Sequence, residues 1–379
     1  MHVGLNLVYW VPDSGGSGTY AAELIRALHA AEPGTRITAW VGQGAPKGLG
    51  ERDWGGPVDW VHLPVKSVGS PVHVPVELLG LGLAARRRGV DVVHGLAYAT
   101  PVLAPGVATV VTLLDLTWKH HPETVSRLAR TMFGLFVPLC GRSADRVIAI
   151  SEHGRDDLVR TAGLDPAKID VTPLGVSDRE HAAPTPAAAL REAHGIPEGA
   201  PVVLCVAQIS RHKNLAALIE ALPLLAAPGA RVVLPGRHTE HRDELEALAR
   251  RLGVHDRVVL PGFVSDADLE GLYALADAFV LPSYAEGFGL PVAEAMRRGV
   301  PVACSDASAL PEVAGDAALL FDPHDPAAIA ATVDRLLGDP ALRERLAARG
   351  RERAAELTWE RTARLTFASY RRALGCTSA

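Results

Sequence analysis

The chain is predicted to be an α/β protein built from two doubly wound, Rossmann-like domains facing across a cleft. Three observations lead there. Short apolar, strand-like runs alternate with helical runs from one end to the other. The rhythm stops once, in a Pro- and Ala-rich stretch without a strand at 179–199, and then restarts. A length of 379 residues exceeds one ordinary core, and an apolar content of 48% suffices for two.

The first domain, 1–178, is expected to take strands at 3–9, 36–41, 91–95, 109–114, 146–150 and 169–172. Most of these are continuous apolar runs rather than alternating ones, as strands covered on both faces read. Its helices are expected at 19–31, 77–88, 126–141 and 152–161. The second of these ends in Arg86-Arg87-Arg88 before Gly89, where positive charge suits the helix dipole and requires no phosphate. Residues 179–199 are expected to link the domains. The second domain, 200–357, repeats the pattern with strands at 202–206, 232–234, 258–260, 278–281, 302–304 and 318–321. From residue 325 onward the pattern is helical, and 358–379 is expected to form a separate last helix.

Composition limits the function classes. A formal charge of −5 gives no general attraction to nucleic acid or to anionic membrane. Five lysines against thirty-three arginines, with abundant Ala, Gly and Pro, read as coding bias. Cys140, Cys205, Cys304 and Cys376 lack metal or redox spacing, so reduced thiols in a cytoplasmic protein are expected. No basic leader precedes the first strand, and no apolar run reaches the roughly 20 residues that span a bilayer. The run 128–140 is amphipathic. It is read as a helix packed on the sheet, with contact to a membrane surface as the other reading.

The most informative segment is Pro282-Ser283-Tyr284-Ala285-Glu286-Gly287-Phe288-Gly289-Leu290-Pro291-Val292-Ala293-Glu294. It joins the apolar run 278–281 to a helical run, 290–298, that Gly299 ends. Pro291 suits a first helical turn. The glycines let backbone N–H groups approach a ligand, and a helix N-terminus favours an anion. The carboxylates of Glu286 and Glu294 do not bind phosphate but accept hydroxyls. Phosphate together with two sets of sugar hydroxyls describes a nucleotide-diphosphate sugar. Two solvated glutamates at a helix start explain the shape alone equally well.

The wording of this motif closely resembles the donor-site signature of retaining glycosyltransferases with the GT-B fold, in particular glycosyltransferase family 4. The resemblance implies that Glu286 meets sugar hydroxyls and Glu294 the ribose. It further implies that backbone groups of Gly287, Phe288, Gly289 and Leu290 hold phosphate and sugar. In that family the last helix crosses back onto the first domain, as 359–370 would.

Three other loops fit the same reading. Asp13-Ser14-Gly15-Gly16-Ser17-Gly18-Thr19-Tyr20 follows the first strand. A nicotinamide site needs an acid about 20 residues on. The second strand ends instead in Ala39-Trp40-Val41-Gly42-Gln43, so a dehydrogenase is discounted. The loop resembles the Gly-rich opening of family 4, with Gly16 toward the donor. Gln208-Ile209-Ser210-Arg211-His212-Lys213-Asn214-Leu215 places basic groups before a helix, where they suit a diphosphate leaving group better than they suit the dipole. Lys213 matches the family's lysine. Its earlier arginine is replaced by Ala207 and Gln208, and Arg211 is the candidate substitute. Phe263 and Val264, in Gly262-Phe263-Val264-Ser265, match a segment near the nucleobase, and packing explains them equally. Ser265 to Asp268 also has the form of a helix capping box.

The first domain is expected to supply the acceptor side. Val111-Thr112-Leu113-Leu114-Asp115-Leu116 resembles a family segment in which Leu114 is normally a histidine that contacts the donor sugar. Asp115 matches and is assigned either to an acceptor hydroxyl or to capping a helix. His94, at a strand end, is the preferred acceptor-side histidine over His120 and His121, and no histidine spacing calls for a metal. Ser151-Glu152-His153 lacks a nucleophile elbow.

The resemblance implies metal-independent transfer of a hexose from a UDP- or GDP-sugar to an acceptor hydroxyl, with retention. Lys213, Arg211, Glu286 and Asp115 would carry the chemistry, with no cofactor beyond the donor and no nucleic-acid partner. A small sugar or natural-product core is the expected acceptor. A nucleotide-sugar epimerase of the same fold and a non-catalytic nucleotide-sugar-binding subunit are the alternatives.

Overall fold

The computed structural model describes residues 1–11, 15–66, 73–177, 182–237 and 239–376. The chain divides into two compact units, Met1–Gly175 with Thr358–Ala379, and Val176–Leu357.

Unit 1 is a seven-stranded parallel sheet of order β3-β2-β1-β4-β5-β6-β7. Its strands are β1 His2–Leu7, β2 Arg36–Val41, β3 Val58–His62, β4 Val92–Gly95, β5 Ala108–Leu113, β6 Arg146–Ala149 and β7 Ile169–Val171. β1 lies inside the sheet and is buried throughout, which explains its mostly apolar sequence. β3, an edge strand, was absent from the sequence expectations. Its pattern, Val-Asp-Trp-Val-His, is only half-buried and carries polar residues every second or third position.

The C-terminal helix Trp359–Ala373 belongs to unit 1. The Thr358 hydroxyl caps it by accepting from the Arg361 N–H, at 3.2 Å. Thr362, Ala363, Thr366, Phe367 and Tyr370 recur at helical spacing and are all buried. Each large apolar side chain buried this way contributes about 1.5–3 kcal/mol. The Thr362 hydroxyl donates to the Pro173 carbonyl at 2.7 Å, and Ser369 donates to Asp170 at 2.5 Å. Gly175 must be glycine because a Cβ there would lie 2.2 Å from the Trp359 nitrogen.

Unit 2 is a six-stranded parallel sheet of order β10-β9-β8-β11-β12-β13. The strands are β8 Val202–Leu204, β9 Arg231–Pro235, β10 Val258–Gly262, β11 Ala278–Leu281, β12 Val302–Ser305 and β13 Ala318–Phe321. Within the stretch 179–199 the structure contains a helix, Ala187–His194, whose Leu190 is buried. That leucine packs at Gly271, where a Cβ would meet its Cδ1 at 2.7 Å. A single buried leucine in an Ala-rich run gives too weak a period to be read in advance.

In each sheet the strand order reverses once, between β1 and β4 and between β8 and β11. Loops leaving the carboxyl ends of such a pair diverge and leave a crevice for a ligand.

Candidate functional site

In unit 2 the loops after β8 and β11 meet at this reversal. The loop after β8 ends in a 3-10 turn, Arg211–Lys213. Asn214 follows in a left-handed conformation, φ 54°, which asparagine tolerates better than most residues. Its amide donates to the carbonyls of Pro282 at 3.1 Å and Pro323 at 2.7 Å, and so ties three loops together. The Tyr284 N–H bonds the His212 carbonyl at 2.9 Å.

These ties set Lys213 against Glu286. The lysine Nζ lies 2.7 Å from both carboxylate oxygens, with side-chain exposures of 17% and 9%. The Ser283 hydroxyl donates to the same carboxylate at 2.7 Å, and the Glu286 N–H donates to Ser308 at 2.9 Å. Ser308 itself has φ 53°. Burial pushes up the pKa of the neighbouring Cys205 thiol, which keeps it protonated beside the pair. Asn214, Ser283 and Ser308 were not singled out from the sequence. Only Asn214, next to Lys213 and suited to a left-handed position, carried a readable signal.

Gly289 caps the helix Leu290–Arg297 with φ 105°, and a Cβ there would lie 2.5 Å from Leu310 Cδ2. Phe288 is buried, while Gly287 and Leu290 are half-buried. Glu294, within that helix, accepts from the Tyr273 hydroxyl at 3.3 Å. The Arg298 guanidinium lies 4.4 Å over the Tyr273 ring and pairs with Glu270.

Several expectations change. Arg211 does not join Lys213: its guanidinium pairs with Glu244 on the exposed surface, while Lys213, two residues on, forms the half-buried pair with Glu286. Phe263 does not pack in the core. It is 76% exposed, with Arg237 5.4 Å over its ring, because the loop leaving β10 projects it outward. Val264 is half-buried, and Ser265 caps its helix as expected, accepting from the Asp268 N–H at 3.1 Å.

In unit 1, Gly16 opens the helix Gly16–Ala31 and is exposed, with Gly15 at φ 57° before it. Residues 12–14 of that loop, including Asp13 and Ser14, lie outside the described residues. Asp115 accepts from the Thr117 N–H at 2.8 Å and from the Tyr98 hydroxyl at 3.1 Å. Leu114, just past β5, is half-buried. His120 pairs with Asp157 at 2.8 Å and His121 with Glu123 at 3.2 Å.

His94 is the plainest correction. It is fully buried, and its ring nitrogens lie 2.7 Å from the Tyr370 hydroxyl and 2.8 Å from Thr112 Oγ1. A strand-end position on β4 suggested an acceptor contact, but the C-terminal helix covers that position, and His94 anchors the helix instead. Burial lowers its pKa to about 3, so it stays neutral. The unfolded chain binds this proton below about 6.5 and the folded chain does not, so the histidine's contribution to stability is lost as pH falls. The stability difference between the wild type and His94→Gln should therefore shrink between pH 6.5 and pH 4, by up to about 1.4 kcal/mol per unit, in urea titrations. Taking the difference also removes the opposite titration of buried Glu77, whose carboxyl burial raises to about 7. A difference that does not change with pH would mean that His94 is protonated in the folded chain.

Among the described residues no group of three or more His, Cys, Asp or Glu side chains converges as a metal site. Two parallel, doubly wound α/β sheets are the architecture of the GT-B glycosyltransferases. Comparison with known proteins agrees. The family description "Glycosyltransferase Family 4" matches residues 14–180, and "Glycosyl transferases group 1" matches residues 187–353. The chain belongs to this glycosyltransferase family.

It is 34% identical over 234 residues to the O-antigen chain mannosyltransferase B of Escherichia coli, a match covering 60% of this chain and 61% of that protein. It is 29% identical to the MMP alpha-(1->4)-mannosyltransferase of Mycolicibacterium hassiacum over 95% of both chains. Sucrose-phosphate synthase from Thermosynechococcus elongatus has the same fold, with TM-score 0.79, 23% identity and full coverage of both chains. The stretch matched in the O-antigen enzyme is thus about three fifths of its length.

Proposed function

We propose that this chain transfers a hexose from a nucleotide-diphosphate sugar to an acceptor hydroxyl with retention of anomeric configuration. The observation that carries the reading is the Lys213–Glu286 pair at the strand reversal, beside the N-terminus of the helix Leu290–Arg297.

Lys213 neutralises the charge that grows on the diphosphate as the sugar–oxygen bond breaks. Backbone N–H groups at Gly287 through Leu290, aided by the helix dipole, hold the phosphate, so the reading needs no metal to supply positive charge. Glu286 is held by Lys213 and Ser283 and accepts sugar hydroxyls on its remaining lone pairs. Glu294 accepts from the ribose. The acceptor hydroxyl attacks the face from which the diphosphate departs, and a diphosphate oxygen takes its proton. No protein nucleophile enters this scheme. Asp115 belongs to the acceptor-side assignment in unit 1, and Gly16 to the donor-binding assignment. Two relatives named as mannosyltransferases favour mannose among the hexoses.

The test is a thermal-shift screen with UDP-, GDP-, ADP- and TDP-sugars on the wild type and Glu294→Ala. A donor at a hundred times its dissociation constant adds about 2.7 kcal/mol of stability. A shift with one nucleotide class, lost in Glu294→Ala, is expected, and NMR of the product should show the donor's anomeric configuration. Equal shifts in both proteins would overturn the Glu294 assignment. An inverted product would overturn retention.

A further inference from the structure

The half-buried carboxylate of Glu294 is approached by a second helix of unit 2, Asp266–Leu275, which brings Tyr273 and Glu270 to it one turn apart. Tyr273 is 1% exposed, and its ring stacks on Phe279 of β11 with centroids 6.0 Å apart and planes at 24°. Packing alone would suit a phenylalanine there equally well. The hydroxyl is what asks for tyrosine, because in so buried a place it must have a partner. It donates to Glu294 Oε2 at 3.3 Å. Burial and the adjacent carboxylate push the Tyr273 pKa well above its usual value, so the hydroxyl keeps the proton that it donates.

The tyrosine is itself held. Arg298 caps the end of the Glu294 helix, and its guanidinium lies 4.4 Å over the Tyr273 ring. Its Nε donates to Glu270 at 2.8 Å, a second nitrogen pairs with the same carboxylate, and the third donates to the Glu294 backbone carbonyl at 3.1 Å. Both helices are thus tied to one guanidinium, and the aromatic ring is fixed between that guanidinium and Phe279. A tyrosine hydroxyl orients one oxygen of a carboxylate without cancelling its charge. A carboxylate has about four lone-pair sites, so one that is oriented in this way can still accept from a diol. Fixing a flexible glutamate before a ligand arrives also spares the cost of ordering it on binding.

We infer that Tyr273 is a positioning residue of the donor site: its hydroxyl, with its ring held under Arg298, sets the Glu294 carboxylate to accept the 2′ and 3′ hydroxyls of the ribose. The inference deepens the proposed function and rests on its reading of Glu294 as the ribose-binding group.

Calorimetric titration of the full chain with GDP, UDP and ADP, each compared with its 2′,3′-dideoxy form, tests it. The quantity read is the affinity ratio of the two forms. A general loosening of the site weakens both forms alike and leaves that ratio unchanged. In the wild type the dideoxy form of the preferred nucleotide should bind ~10-fold or more weakly. Glu294→Ala should abolish the preference. Tyr273→Phe keeps the ring and its stacking, should melt near the wild-type temperature, and should lower the ratio about fivefold. Arg298→Gln leaves the hydroxyl but releases the ring, and should lower the ratio by a smaller factor. A wild-type ratio in Tyr273→Phe, with the preference lost in Glu294→Ala, would overturn the positioning role and leave the ribose reading standing. A preference that survives Glu294→Ala, or no binding by any of the three diphosphates, would overturn the ribose reading and this inference with it.

Discussion

Replacing Lys213 by alanine should lower kcat by about 10²–10³, the usual cost of removing one group that stabilises developing charge. The ammonium touches both oxygens of Glu286 in the free protein and is largely shielded from water. It is therefore held in place before a diphosphate arrives and loses little freedom when one binds. The same substitution leaves the Glu286 carboxylate partly buried with Ser283 as its remaining side-chain donor, and should cost about 1–3 kcal/mol of stability. The two effects separate in a double variant. Lys213→Ala/Glu286→Gln removes the stranded charge and should recover much of the stability, while turnover stays low. Steady-state release of the nucleotide product, alongside urea unfolding, measures both. Near-normal turnover in Lys213→Ala would mean that another group neutralises the leaving diphosphate.

Gly289→Ala should weaken donor binding by tenfold or more and cost about 1–3 kcal/mol of stability. Two physical terms contribute. The backbone sits at φ 105°, which a residue with a Cβ rarely adopts, and that Cβ would lie 2.5 Å from Leu310 Cδ2. Relieving either term moves the loop that carries Gly287 and Phe288. Adding Leu310→Ala removes the clash but not the dihedral strain, so the double variant should regain only part of the affinity, as read by calorimetric titration with the nucleotide sugar. Full recovery would assign the whole effect to packing. Unchanged affinity in Gly289→Ala would show that the loop backbone does not contact the donor.

The contrast between expectation and structure follows from how far each signal extends along the chain. Twelve of the strands were legible because each carries a short run that is mostly apolar, the edge strands β7, β10 and β13 included. β3 was missed because Asp59 and His62 break its apolar pattern and none of its residues is buried. Lys213, Glu286, Gly289 and Glu294 stood out in the sequence because a loop between a strand and a helix carries its glycines and polar groups at fixed offsets, and the proposed donor site rests on them. Arg211 and His94 were misjudged for the opposite reason. Glu244 lies thirty-three residues from Arg211, and Tyr370 lies 276 residues from His94. Neither partner can be anticipated from a local window.

The sequence alone determined the two parallel α/β halves, the final helix, the glycine-rich loop before the helix Leu290–Arg297 and the family resemblance. All of these rest on period, composition or residues close together in the chain. Tertiary structure alone decided which polar groups pair, that Asn214 and Ser308 hold the Glu286 loop, and that His94 anchors the last helix. Those outcomes depend on contacts between distant segments. A side chain's partner, burial and protonation are set by what folds over it, and that information is not carried by its neighbours in sequence.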